Sequence, residues 1–167
     1  MLTPANTNLV GLQNSEKGSK GDFIAKIEKI YTDKNSEVHL DVRWYYRPEE
    51  TVIGRMPWHA RLEVIESDHT DSIHVGSVNS KCCIYTLEEY EALPALGAKK
   101  VKVAGEEGKV VLPEFICRSY YLHKKGRLEA PLPVYCNCKT PQNPEKTLIY
   151  CDRQTCGIPG RWVHGQC

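Results

Sequence analysis

A chain of 167 residues holds one ordinary domain and a small appendage, since a single hydrophobic core commonly serves roughly 100–150 residues. Hydrophobic residues at 41% and charged residues at 26% match a folded globular protein and exclude a disordered one, and no apolar run approaches the roughly 18–20 residues that span a bilayer. A formal net charge of +1 supplies no large positive field, so a basic peptide is an easier partner than a nucleic acid, and little direct DNA affinity is expected.

The polar start, without the apolar stretch of a secretory signal, places the protein inside the cell, and residues 1–21 lack either periodicity and read as a flexible tail. Strand-like segments follow at Phe23–Tyr31, Glu37–Tyr46, Leu62–Glu66, Ile73–Ser77, Cys82–Thr86 and Phe115–Tyr121. Polar turns such as Thr32-Asp33-Lys34-Asn35 separate them, which predicts a mostly antiparallel β-barrel or sandwich. Thr86 with Glu89 three residues later is a capping-box pattern and predicts one short helix ending near Leu93-Pro94. Ala95–Gly108, with Gly and Lys and no apolar alternation, reads as an exposed insertion. Beyond Gly126 the composition turns to proline and cysteine, and a second module is predicted from about Ala130, giving domains 22–130 and 131–167.

Eight cysteines in a chain read as intracellular point to metal or buried thiols rather than disulfides. Cys82, Cys83 and Cys117 fall in or beside strand segments, lack metal spacing and read as small buried residues. The rest run Cys136-x-Cys138, Cys151-x4-Cys156 and His164-x2-Cys167, pairs that can each point two ligand atoms at one tetrahedral zinc. A segment this short has too little apolar surface to hold itself together without a cross-link. The spacing resembles that of a PHD finger, which implies Cys136, Cys138, His164 and Cys167 on one ion with Cys151 and Cys156 as half of another site; a rival arrangement puts Cys136, Cys138, Cys151 and Cys156 on one ion and leaves His164 and Cys167 free.

In the strand Val42–Tyr46, alternation places Trp44 and Tyr46 on one face and Tyr45 on the other. By itself such a pair is more often core than ligand cage, because aromatic rings supply large buried area. Downstream lie Glu49, Glu50, Asp68, His69 and Asp71, which in isolation read as solvated turn charges and a loop histidine.

From Phe23 to Tyr121 the chain resembles a BAH domain, and with the cysteine module it resembles the plant and fungal BAH–PHD proteins that read histone H3 trimethylated at lysine 27. The residues that carry the likeness are Ile24-Ala25-Lys26-Ile27-Glu28-Lys29-Ile30, Arg43-Trp44-Tyr45-Tyr46-Arg47-Pro48-Glu49-Glu50, Ser67-Asp68-His69, Lys81-Cys82, Ile116-Cys117-Arg118 and Val134-Tyr135-Cys136-x-Cys138. The resemblance implies a BAH-type β core followed by a zinc-stabilised PHD-like finger. That finger reads as incomplete, because a fourth ligand pair does not follow Cys167. It implies a methyl-lysine cage of Phe23, Trp44 and Tyr46, with Phe23 where these readers usually carry Tyr, and peptide contacts from Glu50, His69 and Asp71. In the finger, Trp162 stands where methyl-lysine-reading PHD fingers often place a cage wall, but Gln142 replaces the Tyr of the plant relatives. Trp162 is therefore either a second methyl-lysine site or a structural residue packed near the zinc. The implied role is that of a nuclear, non-enzymatic reader of a methylated histone H3 tail on the nucleosome, acting in a Polycomb-type repressive complex.

Other functions remain in view. A BAH domain can serve as a protein-interaction module without a methyl-lysine ligand, and the cage could instead take methylated histone H4 or methylated lysine 4 of histone H3. An enzyme could be built on Asp68, His69, Asp71 and His74, though no nucleophile or phosphate loop accompanies them.

Overall fold

A computed structural model of the chain describes residues 9–12, 21–92, 100–101, 110–111 and 114–167. In chain order the strands are β1 (Leu9–Leu12), β2 (Phe23–Thr32), β3 (Val38–Tyr46), β4 (Glu63–His74), β5 (Val78–Lys81) and β6 (Cys83–Tyr85). Helix α1 (Leu87–Ala92) follows, then β7 (Lys100–Val101), β8 (Val110–Val111), β9 (Glu114–Leu122) and β10 (Arg127–Leu128). The C-terminal module holds β11 (Val134–Tyr135), β12 (Thr140–Pro141), β13 (Leu148–Tyr150) and β14 (Trp162–His164).

Eight strands make one sheet in the order β10-β9-β4-β3-β2-β1-β5, with β6 also on β9. The fold is mostly β as predicted. Most pairs are antiparallel, but β4 and β6 each run parallel to β9. Parallel pairing needs a long crossover, and the chain supplies one between Tyr85 and Glu114, so the sheet is mostly antiparallel as predicted, with parallel pairing only at β9 among the described residues.

Apolar residues alternate along the strands and fill both faces of the sheet. Leu9, Ile24, Tyr45, Val64, Cys82 and Ile84 form one cluster; Val10, Leu12, Ala25, Leu40 and Val42 form the other. The stretch read as a tail thus contains a strand, for Leu9–Leu12 is buried at all four residues and paired on both edges, with β2 and β5. Four residues are too few to carry a period, which is why the sequence hid it. Residues 1–8 and 13–20 lie outside the described residues.

The segments Leu62–Glu66 and Ile73–Ser77 are corrected to the single strand β4. Its middle, Asp68–Ser72, is polar and mostly exposed, yet Thr70, Asp71 and Ser72 stay paired with β3, so pattern failed where ladder pairing persists. The helix forms where expected: the Thr86 backbone N–H donates to Glu89 Oε2 at 2.8 Å and the Glu89 N–H to Thr86 Oγ1 at 3.2 Å. Most of the predicted insertion Ala95–Gly108 lies outside the described residues; within it Lys100–Val101 pairs with Val110–Val111.

Arg118 on β9 ties the C-terminal module to the sheet. Its guanidinium pairs with the fully buried Glu63 at 2.9 Å and donates to the carbonyls of Trp58 and Gln142, each at 2.7 Å. Beside it the Asn143 amide donates to the carbonyls of Pro57 at 2.9 Å and His59 at 3.1 Å.

Candidate functional site: an aromatic cluster and a cysteine-histidine group

Strand alternation does what the sequence predicts in β3. Tyr45 enters the core at 6% exposure, whereas Trp44 and Tyr46 are half-buried on the opposite face. Ala25 pairs with Trp44 across the ladder, which brings Phe23, at the start of β2, alongside. The Phe23 and Trp44 rings stand nearly perpendicular, 77° apart with centroids at 6.1 Å, and both pack against the Val10, Ala25 and Val42 cluster. The two rings thus meet edge to face above that cluster.

A bulge supplies the next member. Arg43 pairs with Thr70 and Tyr45 with Glu66, so residues 67–69 of β4 face Trp44 alone. The buried Ser67 hydroxyl donates to the Trp44 carbonyl at 2.8 Å and accepts the His69 N–H at 3.2 Å, turning His69 toward the rings. Its imidazole lies 6.3 Å from Trp44 and within 5° of the plane of Tyr46, and its Nδ1 is 2.6 Å from the Tyr46 hydroxyl.

His123, just past β9, completes the group and was not foreseen. Its ring is parallel to His69 at 4.5 Å and to Tyr46 at 5.6 Å. Its backbone N–H donates to Asp68 at 2.7 Å. Nothing in the sequence near His123 marks it, because only the non-local parallel pairing of β4 with β9 brings it to Tyr46.

Burial pushes the Tyr46 phenol above its ordinary value, and the carboxylates of Glu50 and Asp68 push it in the same direction. Glu50 itself caps the turn Pro48–Glu50: its carboxylate accepts the Arg47 backbone N–H at 2.7 Å and the Arg47 guanidinium at 3.2 Å. Asp71 is exposed on β4 and accepts the Ser72 N–H. Asp68, His69, Asp71 and His74 do not gather as a ligand group among the described residues.

In the C-terminal module the ligand atoms of Cys136, Cys138, His164 and Cys167 all lie within 4.8 Å of one another. This matches the arrangement implied by the PHD-finger resemblance rather than its rival; among the described residues Cys151 and Cys156 do not join the group. The β13–β14 hairpin carries His164, and the Cys136 N–H bonds to the Trp162 carbonyl at 3.0 Å, bringing the first and last ligands together. His164 Nδ1 is 3.2 Å from Cys138 Sγ, while its Nε2 is buried without a hydrogen-bond partner. An imidazole held by no other hydrogen bond, facing three thiols, fits a tetrahedral zinc. The Thr140 hydroxyl beside Cys138 draws that thiol down to about 6, toward the thiolate a metal needs.

A model of the BAH domain family matches residues 10–131. The chain belongs to the BAH domain family. It is 30% identical over 158 residues to the chromatin remodeling protein SHL of Arabidopsis thaliana, covering 93% of this chain and 61% of that protein. It is likewise 30% identical over 157 residues to the chromatin remodeling protein EBS of Arabidopsis thaliana, covering 93% and 59%. The chain thus spans about three-fifths of the length of these curated relatives. Among solved structures the yeast Rsc2 BAH domain superposes with a TM-score of 0.53 at 18% identity, over 74% of this chain and 48% of that one.

The aromatic cluster therefore sits on the BAH sheet, and the zinc-fitting group follows the matched BAH residues. Outside the BAH domain, Trp162 is partly exposed and pairs across β13–β14 with Tyr150, their rings 5.1 Å apart at 64°. The sequence pointed to Trp162 but not to Tyr150, whose partner only the hairpin register reveals. The Gln142 backbone carbonyl accepts a hydrogen bond from Arg118.

Proposed function

We propose that the chain is a non-catalytic chromatin reader whose BAH cage of Phe23, Trp44 and Tyr46 binds the trimethylated lysine of the histone H3 tail, most specifically lysine 27, in Polycomb-type repression within the nucleus. The observation that carries this reading is the half-buried, nearly perpendicular pair Phe23 and Trp44, with the His69 ring in contact with both Trp44 and Tyr46 on the same face. A trimethylammonium is bulky and weakly hydrated, so ring faces replace its water at little cost and gain about 0.5–2 kcal/mol per contact. Unmodified lysine must surrender stronger hydration, which gives discrimination. The carboxylates of Glu50 and Asp68 near Tyr46 favour a basic tail, with His69 and Asp71 in reach of residues flanking the methyl-lysine. The names of the two plant relatives, chromatin remodeling proteins, support a chromatin partner.

Zinc would be held by Cys136, Cys138, His164 and Cys167 and would supply the cross-link that the small apolar core of the finger lacks. The exposed Tyr150–Trp162 pair favours a second, weaker methyl-lysine contact on that finger.

Calorimetric titration of the zinc-loaded protein with histone H3 peptides spanning lysine 27, unmodified and trimethylated, and with a lysine 4 trimethyl control, tests the reading. Selective heat from the lysine 27 trimethyl peptide supports it. Binding only to lysine 4 or to methylated histone H4 peptides would reassign the ligand, and no binding to any would leave the interaction-module function instead.

A further inference from the structure

We propose that the chain carries a second cation site, a cavity between α1, β9 and Glu145 that takes one lysine or arginine side chain of a basic peptide. The cavity measures about 240 Å³. That is below the roughly 300–1,000 Å³ of pockets for drug-sized ligands or cofactors and suits a single side chain. Three rings line it, Tyr85, Tyr90 and Phe115, together with the carboxylates of Glu114 and Glu145 and the guanidinium of Arg61. Two acids against one base leave it with a net charge of −1.

Neither carboxylate is neutralised. Among the described residues Glu114 and Glu145 make no ion pair, and Glu114 Oε1 accepts only the Tyr85 hydroxyl, at 3.3 Å. Arg61 is exposed and likewise unpaired among the described residues, so an incoming cation can displace it into water. The Tyr90 phenol is raised first by burial and then by Glu145, with Arg61 opposing. A cation that keeps N–H donors gains here twice, from ring faces and from charge-assisted hydrogen bonds to carboxylate. A trimethylammonium has no N–H and forfeits the second gain, so this site selects in the opposite sense to the cage.

The two sites are separate. Phe115 packs against the Leu9, Ile24 and Tyr45 cluster, whereas Phe23 and Trp44 pack against the other. Glu145 comes from the C-terminal module and the rest from the BAH domain, so a bound side chain bridges the two.

The test is a titration of the zinc-loaded 167-residue chain, followed by amide chemical shifts, with Nα-acetyl-lysine methylamide and its arginine, trimethyl-lysine and norleucine counterparts. The expected result is saturable shifts at Tyr85, Tyr90, Glu114 and Glu145 with lysine or arginine. Binding should weaken by at least about tenfold with norleucine and in E114Q/E145Q, and should be unchanged in Trp44→Ala. Absent shifts at these residues, norleucine equal to lysine, unaltered binding in E114Q/E145Q, or loss in Trp44→Ala would each overturn the proposal. A failed cage would show separately, as no methyl-peptide binding with these shifts intact.

Discussion

Replacing Arg118 by Met should be the most damaging single change in the molecule. Arg118 is 7% exposed and Glu63 fully buried, and their pair is closed by contacts at 2.9 and 3.3 Å. Methionine keeps the packing volume but strands the carboxylate, which among the described residues then keeps the Ala60 N–H at 2.8 Å. Breaking one side of a buried pair costs about 3–5 kcal/mol, and the Trp58 and Gln142 carbonyls lose their donor as well. Against a domain stability of roughly 5–15 kcal/mol this is a large fraction. With a urea slope of about 1–3 kcal/mol per molar, the unfolding midpoint should fall by roughly 2 M at pH 7. The double variant Glu63→Met/Arg118→Met removes the stranded charge and should recover much of the loss. A single variant within about 1 kcal/mol of the parent, or a double variant as unstable as the single, would refute the assignment of Arg118 and Glu63 as a buried charge pair.

Ser67→Ala should cost about 1–3 kcal/mol in denaturant unfolding and weaken methyl-peptide binding in calorimetry, since one hydroxyl bonds both the Trp44 carbonyl and the His69 N–H. Metal analysis should find zinc lost in Cys136→Ser but its first equivalent kept in Cys151→Ser, because only the former lies in the gathered ligand group. His59 is buried and its protonated form is disfavoured, chiefly by burial, with Arg118 and Arg55 adding to the effect. The unfolded chain therefore takes up a proton below about pH 6.5 that the folded state resists, so stability should fall as pH drops through that range, and less so in His59→Gln. Trp44→Phe should change unfolding free energy by no more than about 1 kcal/mol yet lower methyl-peptide affinity measurably, because the indole is the better cation wall. A stability loss of several kcal/mol with unchanged affinity would make Trp44 a core residue.

Sequence pattern reached as far as local periodicity reaches. The β3 alternation put Trp44 and Tyr46 on one face from residue order alone, and the Thr86–Glu89 cap fixed α1 from two side chains. What it missed depends on distant partners. Leu9–Leu12 is a strand because β2 and β5 flank it, and the polar middle of β4 is a strand because β3 does. His123 and Tyr150 belong to their clusters through pairing across the sheet and the hairpin, and neither carries a local signature. The cysteine spacing limited the metal site to two arrangements, and tertiary placement of His164 was needed to distinguish them.

Trp44 shows why residue type alone left core and cage undecided: the residue proposed as a cage wall also packs on the core. Its ring rests on the Val10, Ala25 and Val42 cluster, and its Nε1 is buried without a partner. An unmet buried donor costs about 1–3 kcal/mol, so as a core residue Trp44 is a poor choice beside phenylalanine. A site that works by ring faces reverses that judgement, since the indole offers the largest and most electron-rich face among side chains. The indole packs on the core cluster, and its other ring contacts, Phe23 at 77° and His69 tilted at 34°, are both residues of the proposed binding site.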